Sequence, residues 1–240
     1  MKAIFGICIG LLIFLGSCRK TTTPEGEGEN LVYAKQFTTT ADEEHLEGNY
    51  QSAMANYDFA ISLSPTYAIA YCNRGKTKKE LKDYNGALAD YNKAIALDPK
   101  MAEAYINRSV ILGLYQDSLG ELRDVQKSLE LNPNLAEGYN AMGVIYRKKG
   151  DFTKAIQMYN RAIAILPTNP IFYNNRGMSK RKLMDYSGAL KDYTKAIELD
   201  PKFALAYYNR AIAKIKLGDL VSAEEDKEIY SEIESMKTFQ

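Results

Sequence analysis

Tryptophan is absent from this chain, histidine occurs once, at His45, and cysteine three times, at Cys8, Cys18 and Cys72. One imidazole cannot supply the pairs that many zinc sites use, and only His45 is available as the base of a Ser-His-Asp arrangement. Two of the cysteines fall in or beside an apolar N-terminal segment. Cys72 is therefore alone in the body, and no intrachain disulfide framework is expected. An excess of one charge is also missing: 31 basic residues face 30 acidic ones, for a net charge of +1. No overall field attracts nucleic acid, and no such partner is expected. The phosphate-loop pattern GxxxxGK, HExxH and CxxC do not occur. Asp83-Tyr84-Asn85-Gly86 and Asp185-Tyr186-Ser187-Gly188 lack the ligand spacing and closing glutamate of a calcium loop. Turn residues of these types have local backbone reasons to occur. We therefore expect no catalytic residues, no metal and no cofactor.

The one long apolar run extends from Ala3 to Leu15, directly after Met1-Lys2. It is too short to cross a hydrocarbon core of about 30 Å as a helix, and its length suits the apolar region of a signal peptide. The run closes on Leu15-Gly16-Ser17-Cys18, which resembles the cleavage box of bacterial lipoproteins. That resemblance implies a signal peptide over 1–17 and a diacylglycerol on the Cys18 thiol, with Cys18 as the new N-terminus. One acyl chain binds a membrane only marginally, whereas two or three hold firmly. Residue 19 is Arg rather than the Asp that favours inner-membrane retention, so by the same resemblance the outer membrane is expected. Residues 18–33, beginning Cys18-Arg19-Lys20 and rich in Thr, Gly and Glu, offer little to bury and read as a flexible tether.

From there the chain counts in thirty-fours. Pro65, Pro99, Pro133, Pro167 and Pro201 recur at that interval without a break. Setting proline at repeat position 32 defines units 34–67, 68–101, 102–135, 136–169, 170–203 and 204–237. Position 4 is then aromatic throughout: Phe37, Tyr71, Tyr105, Tyr139, Tyr173 and Tyr207. Position 8 is always small: Ala41, Gly75, Ser109, Gly143, Gly177 and Ala211. Position 20 is Ala except at Glu121, position 24 is mostly Tyr, and position 27 is Ala except at Ser128 and Tyr230. Small residues on facing helices let the backbones approach, and the aromatics fill the adjoining space.

These columns resemble the tetratricopeptide repeat family over residues 34–237. Unit four, with Tyr139, Gly143, Tyr146, Gly150-Asp151-Phe152, Ala155, Tyr159, Ala162 and Pro167, fits best. The resemblance implies an all-α solenoid, a right-handed superhelix of six helix-turn-helix units. Such hairpins are marginal alone and depend on their neighbours. Unit three is the expected weak link, because Glu121, Ser128 and Val125 depart from the columns. The charge-rich end of unit six suits a solvent-facing cap.

Arginine recurs at position 7 as Arg74, Arg108, Arg176 and Arg210, and position 23 of the same units holds Asp90, Asp124, Asp192 and Asp226. Unit four has Met142 and Met158 instead, so charge goes with charge and apolar with apolar. We expect each arginine to pair with the aspartate of its own hairpin as a structural ion pair. Asn at position 6 (Asn73, Asn107, Asn175, Asn209) has no partner column within the unit, which suggests a bond to local backbone.

The family resemblance implies a concave groove lined through positions 2, 5, 9, 12 and 13. Positions 5 and 9 give an apolar floor of Cys72, Ile106, Val110, Val144, Met178, Tyr208 and Ile212. Positions 12 and 13 of the later units give a basic rim of Arg147, Lys148, Arg181, Lys182 and Lys216. Part of the floor could equally be inter-repeat core, and the basic residues could be solvated helix ends. The family's carboxylate clamp for chaperone tails is absent: no unit has Lys at position 5 or Asn at 9, position 2 is Lys only at Lys35, and position 6 is never Arg. Two readings stand. One is a lipid-anchored, non-enzymatic scaffold binding a protein or peptide with acidic and apolar residues in the cell envelope. The other is a lipoprotein that captures an anionic glycan, cell-wall fragment or headgroup on its basic rim.

Overall fold

A computed structural model describes residues 24–237, and every regular element among them is a helix. They run α1 (Pro24–Leu46), α2 (Tyr50–Leu63), α3 (Ala68–Glu80), α4 (Tyr84–Leu97), α5 (Ala102–Leu114), α6 (Ser118–Leu131), α7 (Ala136–Lys148), α8 (Phe152–Ile165), α9 (Pro170–Lys182), α10 (Tyr186–Leu199), α11 (Ala204–Lys216) and α12 (Leu220–Lys237). The expected signal peptide and Cys18 lie outside the described residues.

One local device makes all six hairpins. The residue at repeat position 15 is left-handed, with φ between 62° and 87°, at Gly48, Lys82, Gln116, Gly150, Met184 and Gly218. In the last five hairpins an aspartate follows and caps the second helix. Asp83, Asp117, Asp151, Asp185 and Asp219 each accept a backbone N–H three residues on, at 2.8 to 3.2 Å. At Asp151 the backbone bond from Lys154, helped by its ammonium, holds the carboxyl below the usual carboxylate range. These bonds account for the Asp-rich turns without invoking calcium. The second helices of the first five units each stop two residues before the recurring proline, which has no N–H to continue the ladder.

Within a hairpin, position 8 is small because position 24 crosses it. A Cβ added at Gly75, Gly143 or Gly177 would come within 2.5 to 2.7 Å of the ring of Tyr91, Tyr159 or Tyr193. In unit three Val125 replaces the ring and Ser109 fills the space opposite, its hydroxyl donating to the Ile106 carbonyl. Glu121, at a position where the other units bury alanine, is itself buried. It fits because Gly113 stands across from it, where a Cβ would sit 2.8 Å from the carboxylate.

First helices of successive units touch one another, while each second helix touches only the helices before and after it. The array therefore curls with first helices inside. The first and last described units depart from the pattern inside the array. Positions 3 and 10 pack against the preceding unit and are buried throughout units two to six, but unit one places exposed Gln36 and Glu43 there. At the far end Tyr230 occupies position 27, which is small and buried in the other five units, and packs at a tilt of 45° against Tyr208 with ring centroids 5.3 Å apart.

The tether reading of residues 18–33 needs correction from Pro24 onward. Helix α1 begins at Pro24, well ahead of the first unit. A helix already nucleated by packing propagates outward at little cost, and proline is tolerated in the first turn. Asn30 and Leu31 reach alongside Leu63 to Thr66, lining with them a cavity of about 550 Å³.

Candidate partner-binding face

The spacing of the first helices is set by polar bonds that link one hairpin to the next. Arg74 donates from Nε and Nη2 to Asp90 at 2.9 and 2.6 Å, and Arg108, Arg176 and Arg210 hold Asp124, Asp192 and Asp226 in the same two-toothed way at 2.6 to 2.9 Å. Each guanidinium then turns Nη1 to the preceding hairpin, reaching Asp58, Asn92, Asn160 and Thr194 respectively. Each also lies over the position-4 tyrosine of its own unit, 5.4 to 5.5 Å from the ring centroid. Burial works against the Arg74 charge, but the bonds to Asp90 and Asp58 outweigh it and raise its pKa. Lys78, Lys180 and Lys214 add a second cation to three of the four buried aspartates, at 2.8 to 2.9 Å.

The position-6 asparagines also have partners, one hairpin back, which corrects the expectation of a local backbone bond. Asn175 donates to Asn140 at 2.9 Å, Asn209 to Asn174 at 3.0 Å, and Asn107 reaches the Cys72 sulfur at 3.7 Å. All three acceptors sit at position 5 of the preceding unit. Asn73 instead donates to Asp42, which also accepts from the Tyr57 hydroxyl. The signal was in the sequence, but across units: where position 6 is Ala141, position 5 before it is Ile106, apolar with apolar.

The expected floor divides. Ile106 lies in the core with Val125, Leu135 and Ile145, and Cys72 is buried between units two and three. Both are removed from any exposed floor, because a position-5 side chain is covered by the next hairpin. Burial pushes the Cys72 thiol pKa up and keeps it protonated. Met178 is half-buried against Tyr193, and Val144 and Ile212 are also half-buried. Val110 is 45% exposed; Tyr208 is equally open, having no seventh hairpin over it. Sequence reasoning missed Leu114, Ile171 and Leu205, first-helix residues exposed at 54%, 48% and 46%. These are positions 13 and 2 of the expected groove, where Leu46 and Ile69 are likewise apolar and exposed.

The basic band also divides. Lys148 binds both oxygens of Glu121 at 2.9 and 3.0 Å, across the junction between units three and four. Arg147, Arg181 and Lys182 meet no carboxylate, and the structure brings them together around a depression of about 250 Å³ with Phe152 and Met178 at its wall. Lys216 stands apart from it and is exposed. His45 shares a bond of 2.9 Å with the Thr77 hydroxyl and lines a separate depression with Asp42, Leu46, Tyr57, Asn73 and Lys76. Among the described residues no helix is long and apolar enough to cross a membrane.

Three family profiles match the sequence. One, described as TPR repeat, covers residues 41–82 and 143–183. Two described as tetratricopeptide repeat cover 68–101 with 170–203, and 125–157 with 192–225. Together they span 41–101 and 125–225, leaving out most of α1, all of α5, the start of α6 and most of α12. No curated protein matches the chain by sequence. Among solved structures, the chain resembles one from the APC/C hetero-tetramer Cut9-Hcn1, with TM-score 0.78 and 15% identity over 86% of this chain, of which it spans only 42%. It also resembles Pseudomonas aeruginosa pilF, with TM-score 0.71 and 15% identity over 90% of this chain and 100% of the other. PilW, a type IV pilus biogenesis factor, gives TM-score 0.70 and 20% identity over 80% of this chain and 90% of its own. At such identities the likeness is one of fold.

Proposed function

Because the chain belongs to the tetratricopeptide repeat family, we propose that it is a non-enzymatic adaptor whose concave face holds a protein or peptide partner in a bacterial cell envelope. The observation that carries this reading is the apolar surface left open on the inner helices. Val110, Leu114, Ile171 and Leu205 are each about half exposed on the face where first helices gather. The fold does not need them there, since cores of Ala, Tyr and Val are already closed beneath. Exposed apolar surface rimmed by charge is what partner binding uses.

Membrane attachment through Cys18 belongs to the same proposal and rests on Leu15-Gly16-Ser17-Cys18 following the apolar run. With α1 starting at Pro24, only residues 19–23 would separate the acylated cysteine from a helix, so the array would be held close to the surface.

Two comparisons in intact bacteria test the two halves. The full chain and its Cys18→Ala variant should differ in membrane fractionation; a variant that still sediments with membranes would remove the anchor. Cross-linked partners of the full chain should be lost in Val110→Glu/Leu114→Glu, whose substitutions lie on solvent-exposed positions. An unchanged set of partners would remove the concave face.

A further inference from the structure

The protein uses arginine in two ways, and the difference marks a site. Arg74, Arg108, Arg176 and Arg210 each end on a buried aspartate. Arg147 and Arg181, which share position 12 in units four and five, end on none. The Nε of each is nevertheless buried, and what lies against it is the buried hydroxyl of a tyrosine, Tyr159 or Tyr193, instead of a carboxylate. Burial raises both tyrosines, Tyr193 to about 12, while the neighbouring arginine pulls each back down. The base of each guanidinium thus lies inside the protein, and both arginines line the depression that Met178 and Phe152 wall. No carboxylate lines it. Lys148 on its border is already held by Glu121, which leaves Arg147, Arg181 and Lys182 uncompensated.

We infer that this depression is an acidic-peptide site, in which Arg147 and Arg181 each receive one carboxylate of the partner. The inference rests on the adaptor reading and deepens it. Guanidinium matches carboxylate through paired N–H donors, and a rooted guanidinium loses less freedom on binding than a lysine. Neighbouring packed helices stand about 10 Å apart. A polyproline-II chain repeats its face every three residues with a rise of about 3.1 Å per residue. Glutamates three apart in an extended segment therefore meet successive arginines. The sulfur and ring in the wall favour a peptide with an apolar residue between the acids over a bare anion.

The test is fluorescence anisotropy on the full chain with two labelled peptides, one with glutamates three apart between leucines and one with glutamine in their place. The glutamate peptide should bind tighter by about tenfold or more at low salt, the gap narrowing as salt rises. Arg147→Met/Arg181→Met should bring the two peptides together, with circular dichroism reporting that the helices remain. Arg147→Lys/Arg181→Lys should keep part of the preference. Because the salt titration needs no variant, a substitution that unfolds the protein leaves the test intact. Equal binding of both peptides overturns the site and spares the adaptor. No binding of either overturns the site, while the partner cross-links from Val110 and Leu114 still judge the adaptor separately. Displacement of the glutamate peptide by inorganic phosphate at equal concentration would also overturn it, since that marks a site for any anion.

Discussion

The junction between units four and five and the junction between units three and four have the same fold and opposite construction. At the first, Asn175 reaches back to Asn140 and Arg176 to Asn160, so two directional polar bonds register α9 against the hairpin before it. At the second, the equivalent residues are Ala141 and Met142, and neither bond exists. What crosses it is an apolar cluster around Ile106, Val125, Leu135 and Ile145, together with the Lys148–Glu121 pair. It is also the most thinly packed of the five junctions. Apolar contact is non-directional. A junction held mainly by it, with the Lys148–Glu121 pair as its one directional tie, keeps its cohesion with less register, so units one to three and units four to six are the two blocks between which this array should flex.

That contrast can be tested, starting with the largest effect. Arg176→Met strips a strong donor pair from buried Asp192 and cuts the link to Asn160. It should cost about 2–3 kcal/mol in urea unfolding, somewhat less than a fully orphaned buried charge because Lys180 still donates. Arg176→Met/Asp192→Met should recover much of the loss. Equal losses in the single and double variants would show that the aspartate was never the issue.

Next is Lys148→Met. It leaves Glu121 buried beside Gly113 with no cation, and should cost about 2 kcal/mol. Hydrogen exchange should place the lost protection in α6 and α7 rather than along the whole chain. Uniform loss would mean that the junction is not separable.

A gain-of-link variant addresses the same seam from the other side. Met142→Arg/Met158→Asp recreates the arginine–aspartate pair of the other units, and Gln126 stands at the position where Asp58, Asn92 and Asn160 accept. Stability should move by no more than about 1 kcal/mol, since a new half-buried ion pair adds little net. Exchange across α7 should slow towards that of α9. If α7 already exchanges as slowly as α9 in the unaltered protein, the proposed flexing is wrong.

The smallest effect concerns the hairpin turns. Met184→Gly relieves a side chain held at φ 63°, and should stabilise by about 0.5 kcal/mol once the greater freedom of glycine in the unfolded chain is subtracted. Gly150→Ala should destabilise by about 1 kcal/mol. Thermal melts that rank these two in reverse would contradict the turn geometry.

The helices were readable because evenly spaced prolines and small-against-aromatic columns are local consequences of the hairpin. The arginine–aspartate pairs were readable for a related reason: both partners lie in one unit, so a comparison of columns within units exposes them. What crossed from one unit to the next was not read. The Asn175–Asn140 bond and the Arg176–Asn160 bond require comparing one unit with the unit before it. Whether a position-5 side chain faces a ligand or the core depends on the next hairpin, which is why Ile106 is buried and Tyr208, lacking a successor, is open. The stretch before residue 34 failed for a different reason. Its composition promises no burial, yet α1 runs outward through it to Pro24 because the helix is anchored further along.

The atypical first and last units have a consequence for assembly. Stacked head to tail, such an array would never close on itself, and each added copy would offer the same surface again, the recipe for a filament. Gln36 and Glu43 give the front a wetted face, and at the rear the Tyr230 ring takes a place that is small in the other units. Neither end repeats the face that closes an inner junction, so a second copy docking there would meet a poorer fit than one unit offers the next.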